Sequence, residues 1–160
     1  KLVQVDSEPV LKRSEDKIKL INPGFQITYR IIQNGVFKAD VTCLRGDAKS
    51  KKIEKAEELH IQNEFDETQR KKFAKGSYTF QPLQIQTMKD GKICYEDEPV
   101  EKKRERYLKN LSCFNETERR LINPHVYKVD ISDELYDLKM KLINNLMREI
   151  EELKESFRQE

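Results

Sequence analysis

Residues 27–44 read ITYRIIQNGVFKADVTCL, two runs of β-branched, aromatic and alternating polar residues on either side of Asn34-Gly35. Asparagine followed by glycine tolerates the positive φ angles that a two-residue hairpin turn requires. The stretch therefore predicts an antiparallel hairpin, and its neighbours repeat the pattern. YTFQPLQIQTM (78–88) meets KICY (92–95) across Asp90-Gly91. Pro82 has no N–H to donate, which places its strand late or at a sheet edge. At the start, KLVQV (1–5) and PVLKR (9–13) are placed to pair across Asp6-Ser7-Glu8.

Residues 45–77, dense in Lys, Glu, Asp and Gln, carry Ile53, Ala56, Leu59 and Phe65 thinly spread. Their helical propensity and weak apolar stripe predict a mobile or partly helical surface segment. From Asp97 the pattern turns helical. Pro99 suits a helix start, with acidic residues around it, and Val100, Tyr107, Leu108 and Leu111 make an apolar face. Ser132 is a good N-cap for a second helix from Asp133, whose Leu135, Leu138, Leu142, Leu146, Ile150, Leu153 and Phe157 step by three or four. Its charged final turns are expected to project into solvent or along a neighbour. The fold class is thus α+β, antiparallel β-hairpins followed by C-terminal helices. Residues 1–96 form a β-rich segment with two hairpins and a charged middle, and 97–160 a helical segment. The letters LINP occur at 20–23 and again at 121–124, but their flanks share nothing at a fixed offset, so they are no repeat.

Composition narrows the function. The chain is 36% hydrophobic and 38% charged, lean for a core that must offset chain entropy by itself. Part of its interior is expected to be completed by polypeptide outside these residues, and a start at Lys1 within KLVQV reads as a piece of a longer protein. With 31 Lys and Arg against 29 Asp and Glu, a general nucleic-acid or membrane binder is not expected. No apolar run approaches the ~18 residues of a membrane span. Cys43, Cys94 and Cys113 are odd in number and widely spaced, which suits reduced thiols in a cytoplasmic protein.

The residues with chemistry are few. His60 and His125 are isolated, no zinc spacing occurs, and no nucleophile, base and orienting group come together in sequence, so no catalytic or metal-binding residue is assigned. His125, between Pro124 and an extended run, reads as structural, and His60 as a surface residue. KRSEDKIKLINPG (12–24) differs, because Lys12 ends an expected strand and Lys19 sits close before a Pro-Gly turn. Lysine beside turn N–H groups can hold phosphate oxygens, although a solvated charged loop has the same composition.

EPVLKRSEDKIKLINPGFQITYR (8–30) resembles the segment E-P-x-x-K-x-S-x-D-x-x-K-x-x-x-P-G-x-x-x-x-Y-R of nicotinate phosphoribosyltransferases. Glu8, Pro9, Lys12, Ser14, Asp16, Lys19, Pro23, Gly24, Tyr29 and Arg30 occupy the matching places. KADVTCL is similar to the family's ADLITL, DGKICYE to GKLVYE, and RRLINPHVYKVDISDELYDLKMKLI to RRLxNPHxYxVDLSxxLWxLKxxLI, all in the family's order. Arg13, Ile21 and Gln26 depart from a usual Leu, a usual Thr and a frequent Lys.

The resemblance implies the C-terminal portion of a larger α/β-barrel enzyme whose barrel domain is absent from this chain. It implies formation of nicotinate mononucleotide from nicotinate and phosphoribosyl pyrophosphate, with ATP hydrolysis and magnesium, in NAD biosynthesis. The partners implied are the N-terminal part of the same enzyme and a second subunit in a homodimer. Lys12 and Lys19 would then bind substrate phosphate, and these residues alone would be inactive. The alternative is a non-catalytic structural or dimer-contact domain with no ligand-binding role.

Overall fold

The computed structural model describes residues 2–12, 14, 16, 19–45, 57–66 and 68–158. Its centre is the expected hairpin: β3 (Gln26–Gln33) and β4 (Val36–Leu44) pair antiparallel, with Tyr29 opposite Val41 and Ile31 opposite Ala39. Asn34 and Gly35 take φ of 53° and 75°, the left-handed pair that a primed turn requires. The opening strands are short, β1 (Gln4–Val5) and β2 (Glu8–Pro9), turning through positive φ at Asp6 and Ser7.

Two strands come from the segment expected to be mobile or partly helical. There β5 (Glu58–Gln62) and β6 (Arg70–Ala74) form a hairpin, while residues 46–56 lie outside the described residues. The apolar period is two here, with Leu59 and Ile61 opposite Phe73 and Lys71. Burial of that alternating set overrides the helical propensity of the charged residues around it. Next, β7 (Thr79–Pro82) pairs with β3 at the sheet edge, as Pro82 requires. β8 (Met88–Lys89) and β9 (Lys92–Ile93) make a separate ribbon turning at Asp90-Gly91.

The helices are α1 (Val100–Ser112), a short α2 (Glu116–Arg119) and α3 (Asp133–Ser156). Ser132 caps α3 by accepting a hydrogen bond from the Leu135 backbone N–H. Just before it, β10 (Val129–Ser132) enters the middle of the sheet, parallel to β4 and antiparallel to β5. The order is β6-β5-β10-β4-β3-β7.

That order forces curvature. The outermost strands, β6 and β7, are consecutive in sequence, with Ala74 and Thr79 joined by four residues. A flat six-stranded sheet would set its edges ~24 Å apart at ~4.8 Å per strand. Five residue steps reach at most ~18 Å. The sheet therefore rolls into an open barrel, and aromatic rings bridge its edges. Phe73 of β6 meets Tyr78 at 5.7 Å between centroids, Tyr78 meets Phe80 of β7 at 5.0 Å, and Phe80 meets Tyr29 at 5.6 Å. Inside lie Ile31, Ala39, Val41, Cys43, Leu59 and Ile61, all buried. Each large aliphatic side chain enclosed this way contributes about 1.5–3 kcal/mol. Burial pushes the Cys43 thiol up to about 12, which makes it an inert core residue. On the outer face, α3 lays Leu135 against Leu44 and Ile131. No helix among the described residues is long and apolar enough to cross a membrane.

Candidate functional site: the lysine loop and its anchor

The loop from Lys12 to Gly24 leaves the β1–β2 ribbon and ends at β3, and both ends are fastened. Val3 O accepts from Val10 N at 2.9 Å and from Gly24 N at 2.8 Å, tying start to finish. Gly24 has φ +81°, and a Cβ there would stand 2.8 Å from Leu44 Cδ2 and 3.7 Å from Pro9. Only glycine combines that backbone conformation with that closeness. Gln26, standing where the family has a frequent lysine, donates its Nε2 to Asn22 O at 2.6 Å and Pro23 O at 3.3 Å. It closes the turn instead of adding charge to it.

Below the turn lies Lys139 of α3, buried to 4% exposure. Its Nζ pairs with Glu64 Oε1 at 2.6 Å and donates to Asn22 Oδ1 at 3.1 Å. One ammonium thus fastens the loop, the β5–β6 connection and α3. A cavity of about 250 Å³ beside it is walled by Leu20, Phe65, Tyr136, Met140 and Ile143. Reasoning on the sequence passed over Lys139, yet a signal was present: it sits four residues after Leu135 and three before Leu142, on the apolar stripe.

The two lysines assigned from the sequence have different settings. The second strand stops at Pro9, so Lys12 lies beyond it, exposed, next to the apolar pocket of Leu2, Val5, Val10 and Leu11. Lys19 N donates to Asp16 O at 3.0 Å, and Lys19 Nζ lies 3.3 Å from Asp16 Oδ2, both side chains exposed. Such a solvated pair is worth under about 1 kcal/mol. Neither lysine packs into the core. Arg13 and Lys17, from the same stretch, lie outside the described residues.

Other matched positions hold the fold. Tyr29 is in the barrel core. Arg30 clasps Asp40 with both prongs at 2.8 Å, and Asp40 also accepts from Tyr127 Oη at 2.9 Å. The guanidinium lies 4.5 Å from the Phe37 ring centroid, 5.5 Å from Phe114 and 5.9 Å from Tyr127. The hydrogen bonds it donates to Asp40 hold the Arg30 pKa above its ordinary value, while burial first, then the Asp40 charge, raises that of Tyr127. His125 donates its backbone N–H to Thr117 O while its side chain is exposed, and His60 lies between the carboxylates of Glu58 at 3.0 Å and Asp133 at 3.4 Å.

The fold is similar to that in a crystal structure of human nicotinic acid phosphoribosyltransferase, with a TM-score of 0.69 and 20% identity over 89% of this chain. The chain spans only 26% of that solved relative. No curated protein sequence matches. The nicotinate phosphoribosyltransferase C-terminal domain model matches residues 25–139, most of the chain and the whole span from β3 to Lys139. The chain belongs to the nicotinate phosphoribosyltransferase C-terminal domain family.

Proposed function

We propose that the chain is the C-terminal part of a nicotinate phosphoribosyltransferase that forms nicotinate mononucleotide from nicotinate and phosphoribosyl pyrophosphate. In this reading ATP hydrolysis is coupled to the step, and the enzyme serves NAD biosynthesis in the cytoplasm as a homodimer. The observation that carries it, beside family membership, is a division of labour within the matched opening motif. Gly24, Tyr29 and Arg30 hold the fold, whereas Lys12 and Lys19 stay at the surface on a loop anchored at both ends.

Such a reaction moves pyrophosphate away from an oxocarbenium-like sugar carbon, so cations must meet the developing negative charge. Lys12 and Lys19 fit phosphate oxygens of phosphoribosyl pyrophosphate, pyrophosphate or ATP. Their role is to bind and orient, not to transfer a proton. Among the described residues no group of three or more His, Cys, Asp or Glu side chains is placed to hold a metal ion, so no step is assigned to magnesium here.

The Lys19–Asp16 pair favours a second reading, a structural or dimer-contact element whose lysines touch no ligand. The test is formation of nicotinate mononucleotide by the native polypeptide that contains these residues, with residues 1–160 alone as the comparison. Turnover is expected from the first and none from the second. Absence of product from the native polypeptide would overturn the enzymatic reading.

A further inference from the structure

Residues 74–129 contain no buried side chain, over a third of the chain between Phe73 and Asp130. Among the described residues, the same stretch holds most of the exposed large apolar side chains. Leu121, Val126, Ile122 and Ile93 are 101%, 91%, 79% and 78% exposed. The apolar face of α1 is bare as well, with Val100 and Tyr107 at the surface and no residue of the helix buried. Thirteen residues are near the lower limit for a helix standing alone in water, where packing of an apolar face normally supplies the stability. So many exposed large apolar side chains in one stretch of chain suit an interaction surface.

The region is nevertheless held in one place. Phe37 N donates to Cys113 O at 2.8 Å, and Phe114 sits edge-on between Phe37 and Tyr127 at about 5 Å from each. The Glu118 carboxylate accepts from both nitrogens of Asn115 at 3.0 Å. This aromatic clip fixes an open pocket lined by Tyr107, Leu111, Phe114, Pro124, His125 and Tyr127, in the same loop that carries Leu121, Ile122 and Val126. An aromatic-walled socket in the same loop as protruding apolar side chains suits an apolar side chain of a partner.

We propose that residues 83–129 are the seat for the remaining polypeptide of the phosphoribosyltransferase, which places an apolar anchor side chain in the Tyr107–Tyr127 pocket. This rests on the reading of the chain as part of such an enzyme. The occupant follows from size: 89% of this chain matches the solved relative yet leaves about three-quarters of that relative unmatched, so the same fold there belongs to a much larger molecule.

Amide hydrogen exchange tests the seat, comparing residues 100–127 in chain 1–160 with the same residues in the native polypeptide. Exchange at least ten-fold slower in the native polypeptide is expected, with β3 and β4 changed little. The pair Leu121→Asp with Val126→Asp should return the fast rates while those strands stay protected, and Leu121→Ser offers a milder variant should the pair not fold. Equal rates in the two proteins would overturn the proposal. So would concentration-dependent dimerisation of chain 1–160 that Leu121→Ser abolishes, because the occupant would then be a second copy. Nicotinate mononucleotide formation is read separately. An active native polypeptide with fast exchange sinks the seat alone, and an inactive one with slow exchange sinks only the substrate reading.

Discussion

Lys139 Nζ lies 2.6 Å from Glu64 Oε1, with its side chain 5% exposed and that of Glu64 20%. A charge taken this far from water is tolerable only with its partner in place. Lys139→Ala should therefore lower stability by up to about 3 kcal/mol, because the half-buried Glu64 loses its counter-charge. Lys139→Met with Glu64→Leu should recover much of that loss, since an apolar pair avoids desolvating charge. Urea midpoints of the three proteins decide it, and a double variant no better than the single one would show that the pair does more than neutralise itself.

Gly24→Ala probes the other anchor. The added methyl would meet Leu44 Cδ2 at 2.8 Å on a residue with φ +81°. The left-handed conformation alone costs about 1–2 kcal/mol for an L-residue. Thermal unfolding should shift down accordingly, and the loop carrying Lys12 and Lys19 should become more susceptible to limited proteolysis. An unchanged melting temperature would mean that the turn relaxes without strain.

Arg30 and Asp40 pair in fork geometry within a ring of aromatic side chains. A lysine supplies the charge but neither the planar fork nor the stacking. Arg30→Lys is expected to lose most of what Arg30→Ala loses, about 3 kcal/mol. Near-ultraviolet circular dichroism should also change, since Phe37, Phe114 and Tyr127 pack around the guanidinium. Arg30→Lys at wild-type stability would assign the site to charge alone.

Neutralising Lys12 or Lys19 in the native polypeptide should remove a charge-assisted contact of roughly 1.5–3 kcal/mol. The loss should fall on phosphoribosyl pyrophosphate, pyrophosphate or ATP, with nicotinate affinity nearly unchanged. Added salt should narrow the difference, because both lysines are exposed. Arg13→Ala and Lys17→Ala serve as controls and should matter less. Four variants that titrate pyrophosphate alike would reduce the loop to a solvated charged surface.

Asp130 gives a pH signature. Burial raises its pKa above the ordinary carboxyl value, opposed by Lys128, Asn63 and Lys71. The folded state thus holds this proton more tightly than the unfolded chain does. Stability from this group is present below about pH 4 and is lost as pH rises through the folded-state pKa. Asp130→Asn should remove that component, so the variant gains on wild type across this window. Subtracting the two stability profiles isolates the group, and a flat difference would count against the assignment.

The local signals survived folding because they act over a few residues. Asn34-Gly35 and Asp90-Gly91 turn the chain by their own backbone preference, and Ser132 caps α3 through a bond three residues away. Pro82 lies on an edge strand because it lacks a donor. Lys12 and Lys19 were legible as lysines near a Pro-Gly turn and as matches to a family motif, and the structure adds their exposure and the anchoring of their loop.

What the sequence by itself determined, then, is where the chain turns, where α3 starts and which charges crowd the loop. Tertiary structure decided the rest. The segment at 57–77 became strand because Leu59, Ile61 and Phe73 gain more from closing the barrel than their charged neighbours gain from helix. The insertion of β10 between β4 and β5 joins residues about 90 apart in sequence, beyond any local preference. Lys139 could be placed on a stripe, but its partners Asn22 and Glu64 lie 117 and 75 residues away. Burial of a charge is a property of the assembled neighbourhood, because only there are its water lost and its partners supplied.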